Sequence, residues 1–95
     1  MSNVTVSNNA AASRFEIEQN GEVVGHLDYR TQGNTVDLTH AETDTSVRGQ
    51  GLGGVLVQGA LDRIKIDKMT VIATCPFVAT WIERHEDYHS LLAPS

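Results

Sequence analysis

Ninety-five residues, 40% hydrophobic and 20% charged, are enough for one folded domain over residues 1–95 with a single modest core, and they exclude a disordered chain. A formal net charge of −5 lacks the basic surplus that nucleic-acid binding draws on, and it suits a cationic partner such as an amine. No apolar run approaches the roughly 18 residues of a membrane span, no signal-peptide pattern opens the chain, and a lone cysteine forms no internal disulfide, so the expected compartment is the cytoplasm.

Residues 1–13 are small and polar and read as a loose segment, in which Val4 and Val6 could add a short edge strand. Phe15 and Ile17 alternate with Glu16 and Glu18, the period of a half-buried strand. Asn20-Gly21 is a two-residue hairpin signal, because both residues tolerate positive φ. A return strand over residues 22–30 and a turn at Gln32-Gly33-Asn34 follow. Residues 35–44 alternate again, with Val36, Leu38, His40 and Glu42 expected on one face and Asp37, Thr39, Ala41 and Thr43 on the other. These segments make an antiparallel meander.

Glycines crowd the next stretch, Val47-Arg48-Gly49-Gln50-Gly51-Leu52-Gly53-Gly54. Beyond it, Leu52, Val55, Leu56, Gly59, Ala60 and Ile64 recur at helical spacing through Ile66. Residues 69–74 are β-branched and apolar, like a buried strand, and strand-helix-strand succession implies a right-handed crossover to a parallel partner. Pro76 suits the first position of a second helix, with Phe77, Trp81, His85, Tyr88 and Leu92 on one face and Val78 and Ile82 widening it. The expected fold is α/β: a mixed sheet of antiparallel meander plus one parallel β-α-β crossover, with two helices packed on it.

The glycine run carries the chemistry. Strand, glycine turn and helix start together form a phosphate cradle, since the first N–H groups of a helix have no intrahelical partner. Arg48 adds a permanent cation. Gly49, Gly51 and Gly54 satisfy the dinucleotide pattern G-x-G-x-x-G, but residues 69–74 hold no acid for a ribose, and the motif follows a meander. A nucleoside-triphosphate loop needs Lys then Ser/Thr after its last glycine, where Gly53, Gly54 and Val55 offer neither.

Arg48, Gly51 and Gly53 also fit [R/Q]-x-x-G-x-[G/A], which resembles the pyrophosphate loop of the GNAT superfamily, the acetyl-CoA-dependent N-acetyltransferases. His40-Ala41-Glu42-Thr43-Asp44 before the loop, and Cys75-Pro76-Phe77 with Trp81, His85 and Tyr88 after it, resemble the minimal single-domain branch of that superfamily. The resemblance spans residues 15–92 and implies transfer of an acetyl group from acetyl-CoA to an amine acceptor. It implies that backbone amides of Arg48, Gly49, Gln50, Gly51, Leu52 and Gly53 hold the pyrophosphate, and that the strand edge at Glu42, Thr43 and Asp44 pairs with the pantetheine amides. The thioester would lie where the parallel strands splay, between His40 and Cys75. Two departures stand out: Thr43 replaces a frequently apolar residue, and the last strand pair of larger relatives is missing, which implies a shallow acceptor pocket or one completed by a partner. An acyl-CoA-binding module with little turnover is the alternative, followed by a small partner-binding domain whose glycine loop is only a turn.

Each site residue has a plainer reading. Cys75 at a helix start is placed for a thiolate nucleophile, or is a small buried side chain at a strand end. His40 has the side chain of a general base at neutral pH, or is a strand histidine bonded to a carbonyl. Glu42 could relay a proton through water, or is an exposed strand carboxylate. His85, Tyr88 and Trp81 read as packing, and His26 and His89 as surface residues. Arg84, Lys65 and Lys68 are candidates for the CoA 3′-phosphate, or solvated charges. No metal-type Cys/His clustering occurs. The identity of the acceptor, the acyl chain length, direct or Cys75-relayed transfer, and oligomeric state are left open by the sequence.

Overall fold

Alternating apolar residues set the first half of the chain into four antiparallel strands in a computed structural model that describes residues 3–94. They are β1 (Val4–Asn9), β2 (Arg14–Gln19), β3 (Glu22–Gln32) and β4 (Thr35–Thr43). Helix α1 (Leu52–Ile66) then crosses to β5 (Thr70–Ala73), which pairs in parallel with β4, and α2 (Pro76–Glu83) follows. Among the described residues the sheet has five strands in the order β1-β2-β3-β4-β5.

Within the segment expected to be loose, Val4–Asn9 form the strand β1 and Ala10–Ala12 a 3-10 turn; Met1 and Ser2 of that segment, like Ser95, lie outside the described residues. β1 pairs with β2 along its whole length, Val4 opposite Gln19 to Asn9 opposite Arg14. Val6 is what fixes it, because α1 passes so close at Gly59 that an added Cβ would sit 2.8 Å from the valine. The β2–β3 hairpin turns on Asn20 and Gly21, with φ of 53° and 86°, as the primed turn requires.

The strict alternation expected along β4 is broken by a bulge. Asp28 pairs with His40 and the neighbouring Tyr29 with Leu38, so Thr39 is an extra residue on β4. Its hydroxyl donates to the Asp28 carbonyl at 3.3 Å. Val36 and Leu38 therefore face the core, but beyond the bulge Ala41 takes the core side opposite Leu27, and His40 and Glu42 turn outward with Asp28 and His26.

Both helices cover the same face of the sheet. α1 buries Leu52, Leu56, Val57, Ala60, Leu61 and Ile64, and Val55, expected inward, is 44% exposed. The buried face of α2 centres on Val78 and Ile82. That helix does not run on to Leu92: His85 leaves helical geometry at φ −130° and ψ 84°, and a 3-10 turn over Glu86–Leu91 follows. The break lets Leu92 bridge alongside Val71, with the Ala93 N–H donating to the Val71 carbonyl at 2.8 Å. β5 is not the buried strand its composition suggests, since Val71 is buried but Ile72 is 45% exposed. Its outward face joins an open side of the sheet that bears His26, Asp28, Arg30, Asp37, His40 and Glu42.

Candidate active site

A cleft of about 310 Å3 opens where β4, the start of α1 and the start of α2 converge. Its loop side is built by glycines. After the 3-10 turn Thr45–Val47, whose Val47 is buried, Gly49 and Gly51 take φ of 89° and 74°, a left-handed backbone that few other residues adopt readily. Gly51 is the N-cap of α1, and the Val55 N–H closes the first turn onto its carbonyl at 3.4 Å. Among the described residues, no backbone carbonyl accepts from the N–H groups of Gly51, Leu52, Gly53 or Gly54. They carry the positive end of the helix dipole into the cleft.

The strand side is a free edge. β4 and β5 pair from Thr35 and Thr70 to Leu38 and Ala73, and the Cys75 N–H adds a last rung to the Leu38 carbonyl at 2.8 Å. Past that rung β4 continues while the chain after Cys75 turns into α2, so the strands splay. The Asp44 N–H donates to the Val24 carbonyl of β3 at 2.8 Å. Strand alternation then turns the backbone groups of Ala41 and Thr43 the other way, toward the unpaired edge.

The third wall is aromatic, and here sequence reasoning missed a residue. Phe77 is 47% exposed and borders the cleft. A Cβ on Gly53 would come within 3.0 Å of its ring, and one on Gly54 within 3.4 Å of the Trp81 indole nitrogen. The signal was present as two glycines in the first turn of one helix and Phe77/Trp81 four apart on the next.

Of the residues expected to hold a cofactor, Glu42, Thr43, Arg48, Gly49, Gly51, Leu52 and Gly53 border the cleft. Asp44 and Gln50 do not; the Gln50 side chain accepts from the Gln19 amide at 2.7 Å. Nor do Lys65, Lys68 and Arg84.

His40 and Cys75 flank the splay from opposite faces of the sheet. Cys75 is 5% exposed and belongs to the core between sheet and helices. His40 stands on the open face with its Nε2 3.7 Å from Glu42 Oε2. That oxygen is also 3.7 Å from His26 Nε2, and His26 lies 3.9 Å from Asp28, so two imidazoles share one carboxylate. Farther along α2, Trp81 stacks on His85 at 3.8 Å and meets Tyr88 edge-on at 5.1 Å. The Tyr88 hydroxyl donates to Asp62 at 2.6 Å, a bond to the neutral phenol that pushes its pKa up. These aromatics clamp the C-terminal turn onto α1.

The sequence profile of the GCN5-related N-acetyl-transferase family matches residues 14–91. No match is found among curated proteins. The fold is similar to the NMR structure of a GCN5-like protein from Staphylococcus aureus, with a TM-score of 0.73 and 21% identity over 100% of this chain and 93% of that one. It is also similar to the ribosomal-protein-S18-alanine N-acetyltransferase from Escherichia coli (TM-score 0.65, 13% identity, 88% of this chain and 76% of that one). A third likeness is to the IAA acetyltransferase from Bacillus cereus ATCC 14579, at a TM-score of 0.58 and 12% identity over 88% and 75% of the two chains.

Proposed function

This chain belongs to the GCN5-related N-acetyltransferase family, and from that premise we propose that it binds acetyl-CoA in the cleft and passes the acetyl group to an amine. One observation carries the proposal: four unengaged N–H groups at the start of α1 open into a cleft whose other wall is the free edge of β4. The donor set fits a pyrophosphate. The N–H groups of residues 51–54 supply oriented donors, Arg48 supplies charge, and positive φ at Gly49 and Gly51 leaves open space above the loop. The backbone of Ala41 and Thr43 would pair with the pantetheine amides, which makes the side chain at Thr43 immaterial. Leu52 and Phe77 offer apolar walls to the same arm.

In this reading the thioester reaches the splay, and the amine approaches from the open face. The amine nitrogen attacks the thioester carbonyl carbon; the C–N bond forms, the C–S bond breaks, and CoA leaves as the thiolate. His40, oriented by Glu42, takes the proton lost from the amine. Burial of Cys75 in the core favours direct attack, with the thiol as a wall at the end of β5. A relay through an acetylated Cys75 is the second reading, favoured by the position of that residue on the last rung before the strands part. A single cysteine, free in the fold, agrees with the cytoplasm as the place of work.

Incubation with acetyl-CoA and a panel of amines tests the proposal. Release of CoA above the hydrolysis background supports transfer; binding without release leaves an acyl-CoA-binding module, and absence of binding rejects both.

A further inference from the structure

A second cavity, of about 350 Å3, lies on the open face of the sheet across β3, β4 and β5. Arg30, Asp37 and Ile72 line it together with Thr31, Gln32 and Thr35. Arg30 and Asp37 are direct partners in the β3–β4 register, and Asp37 and Ile72 in the β4–β5 register, so the three stand in one row across the sheet. A guanidinium and a carboxylate so placed would ordinarily close on each other. Among the described residues they form no ion pair. Asp37 is held instead by Thr74, whose hydroxyl donates to Oδ1 at 2.5 Å and leaves Oδ2 without a hydrogen-bond partner among the described residues. Thr74 directly precedes Cys75, so the carboxylate is tied to a residue beside the splay, while the cavity extends from the Arg30-Asp37-Ile72 row the other way, toward Thr35 at the start of β4. Ile72, 45% exposed, adds an apolar rim beside them.

We infer that this cavity is the acceptor site and that its ligand is an amine carrying its own carboxylate, a free amino acid. The Arg30 guanidinium takes the carboxylate as a planar two-toothed donor, Asp37 Oδ2 receives the amino group on the splay side of the cavity, and Ile72 meets the side chain. The opposite charges of the site explain the selectivity. A plain amine leaves Arg30 unmatched, and a plain carboxylate is repelled by Asp37. An amino acid satisfies both. The assignment as acceptor site rests on the acetyl-transfer reading above, whereas recognition of a paired amine and carboxylate rests on Arg30 and Asp37 alone.

Titration of the 15N-labelled full chain, followed by NMR, separates the two. The probes are L-leucine, L-methionine and L-phenylalanine, each beside the amine left by removing its carboxylate, and acetyl-CoA. At least one amino acid is expected to shift amides within residues 30–37 and 70–74, with its amine binding roughly tenfold more weakly for want of one charge-assisted contact. Arg30→Gln, a surface change, should erase that difference and Arg30→Lys should keep part of it. If no amino acid moves those amides, or the amine binds as tightly as the amino acid, the site is overturned. Acetyl-CoA shifts at residues 49–54 without amino-acid shifts overturn this site and leave acetyl transfer standing. Amino-acid shifts without acetyl-CoA shifts do the reverse: they support the paired-charge site and count against acetyl transfer.

Discussion

Gly51 and Gly53 sit two apart in one turn for different physical reasons. At Gly51 the space is open and the demand is conformational, a φ of 74° at the N-cap; at Gly53 the backbone is ordinary and the demand is steric, a ring 3.0 Å from where a Cβ would stand. Gly51→Asp and Gly53→Asp are each expected to weaken CoA binding on the order of a hundredfold or more in calorimetric titration, since a carboxylate there also repels the pyrophosphate. Arg48→Ala should cost less, roughly tenfold, because the amides remain. The motif was legible in the sequence, but the separate demands on its glycines were not, because one depends on a ring from α2. The two catalytic candidates divide in the same way. His40→Ala should slow transfer more at low pH than at high pH, where the amine sheds its proton unaided. Under direct attack Cys75→Ala should keep CoA binding and substantial turnover, whereas an acetylated sulfur seen by intact-mass measurement without acceptor would establish the relay. Glu16 gives a test of stability: hydrogen bonds from Asn9 and then Arg14 hold its carboxyl below the usual carboxylate range. A folded pKa below the unfolded one means stabilisation that is complete above the unfolded value and lost as pH falls through the folded one. Urea midpoints measured down a pH series should fall across that acid window, with a shallower fall in Glu16→Gln.

At the scale of elements, the existence and bounds of α1 were legible, because its glycine entry and its apolar recurrence are local to one stretch of chain, although Val55 proved to face outward. The Asn20-Gly21 turn was legible for the same local reason. The bulge at Thr39 was not, since a bulge is a mismatch between two strands and only the register of β3 against β4 reveals it. With it went the side assigned to His40 and Glu42, the residues proposed to take the proton from the amine. The end of α2 was missed because its spacing continues past Glu83 while the chain must turn back to set Leu92 beside Val71. β1 was underestimated because Val6 owes its place to Gly59, fifty-three residues on. That contact makes a prediction in which two effects compete. Gly59→Ala improves helix propensity by about 1 kcal/mol, but three carbons of Val6 would lie 2.8 to 2.9 Å from the new methyl, and overpacking costs about 1–3 kcal/mol. β1 is held along six paired residues and cannot slide away freely, so the net change should be a loss. Thermal unfolding should show a lower Tm for Gly59→Ala, and a lower one still for Gly59→Val.

The described residues form a molecule two layers deep, a sheet with helices on one face, so its core is small and its cleft is made from parts that meet at the rim. The cleft joins the far end of β4, the first turn of α1 and the first turn of α2, whereas the β1–β2 hairpin lies at the other side of the sheet. A ligand bridging those three elements ties together the region where β4 has lost β5 as a partner and keeps only β3. In a domain of this size such a ligand weighs heavily. At a hundred times its dissociation constant it adds about 2.7 kcal/mol, which corresponds to a rise in Tm of roughly 10–20 °C. Acetyl-CoA is expected to raise the Tm by that order in the wild type and to leave Gly51→Asp unmoved at the same concentration. Hydrogen exchange should slow at residues 49–54 and in α2 while the amides of β1 and β2 keep their rates, because the added stability enters through the cleft. A protein whose glycine loop were only a structural turn would show neither the shift in Tm nor the localised protection.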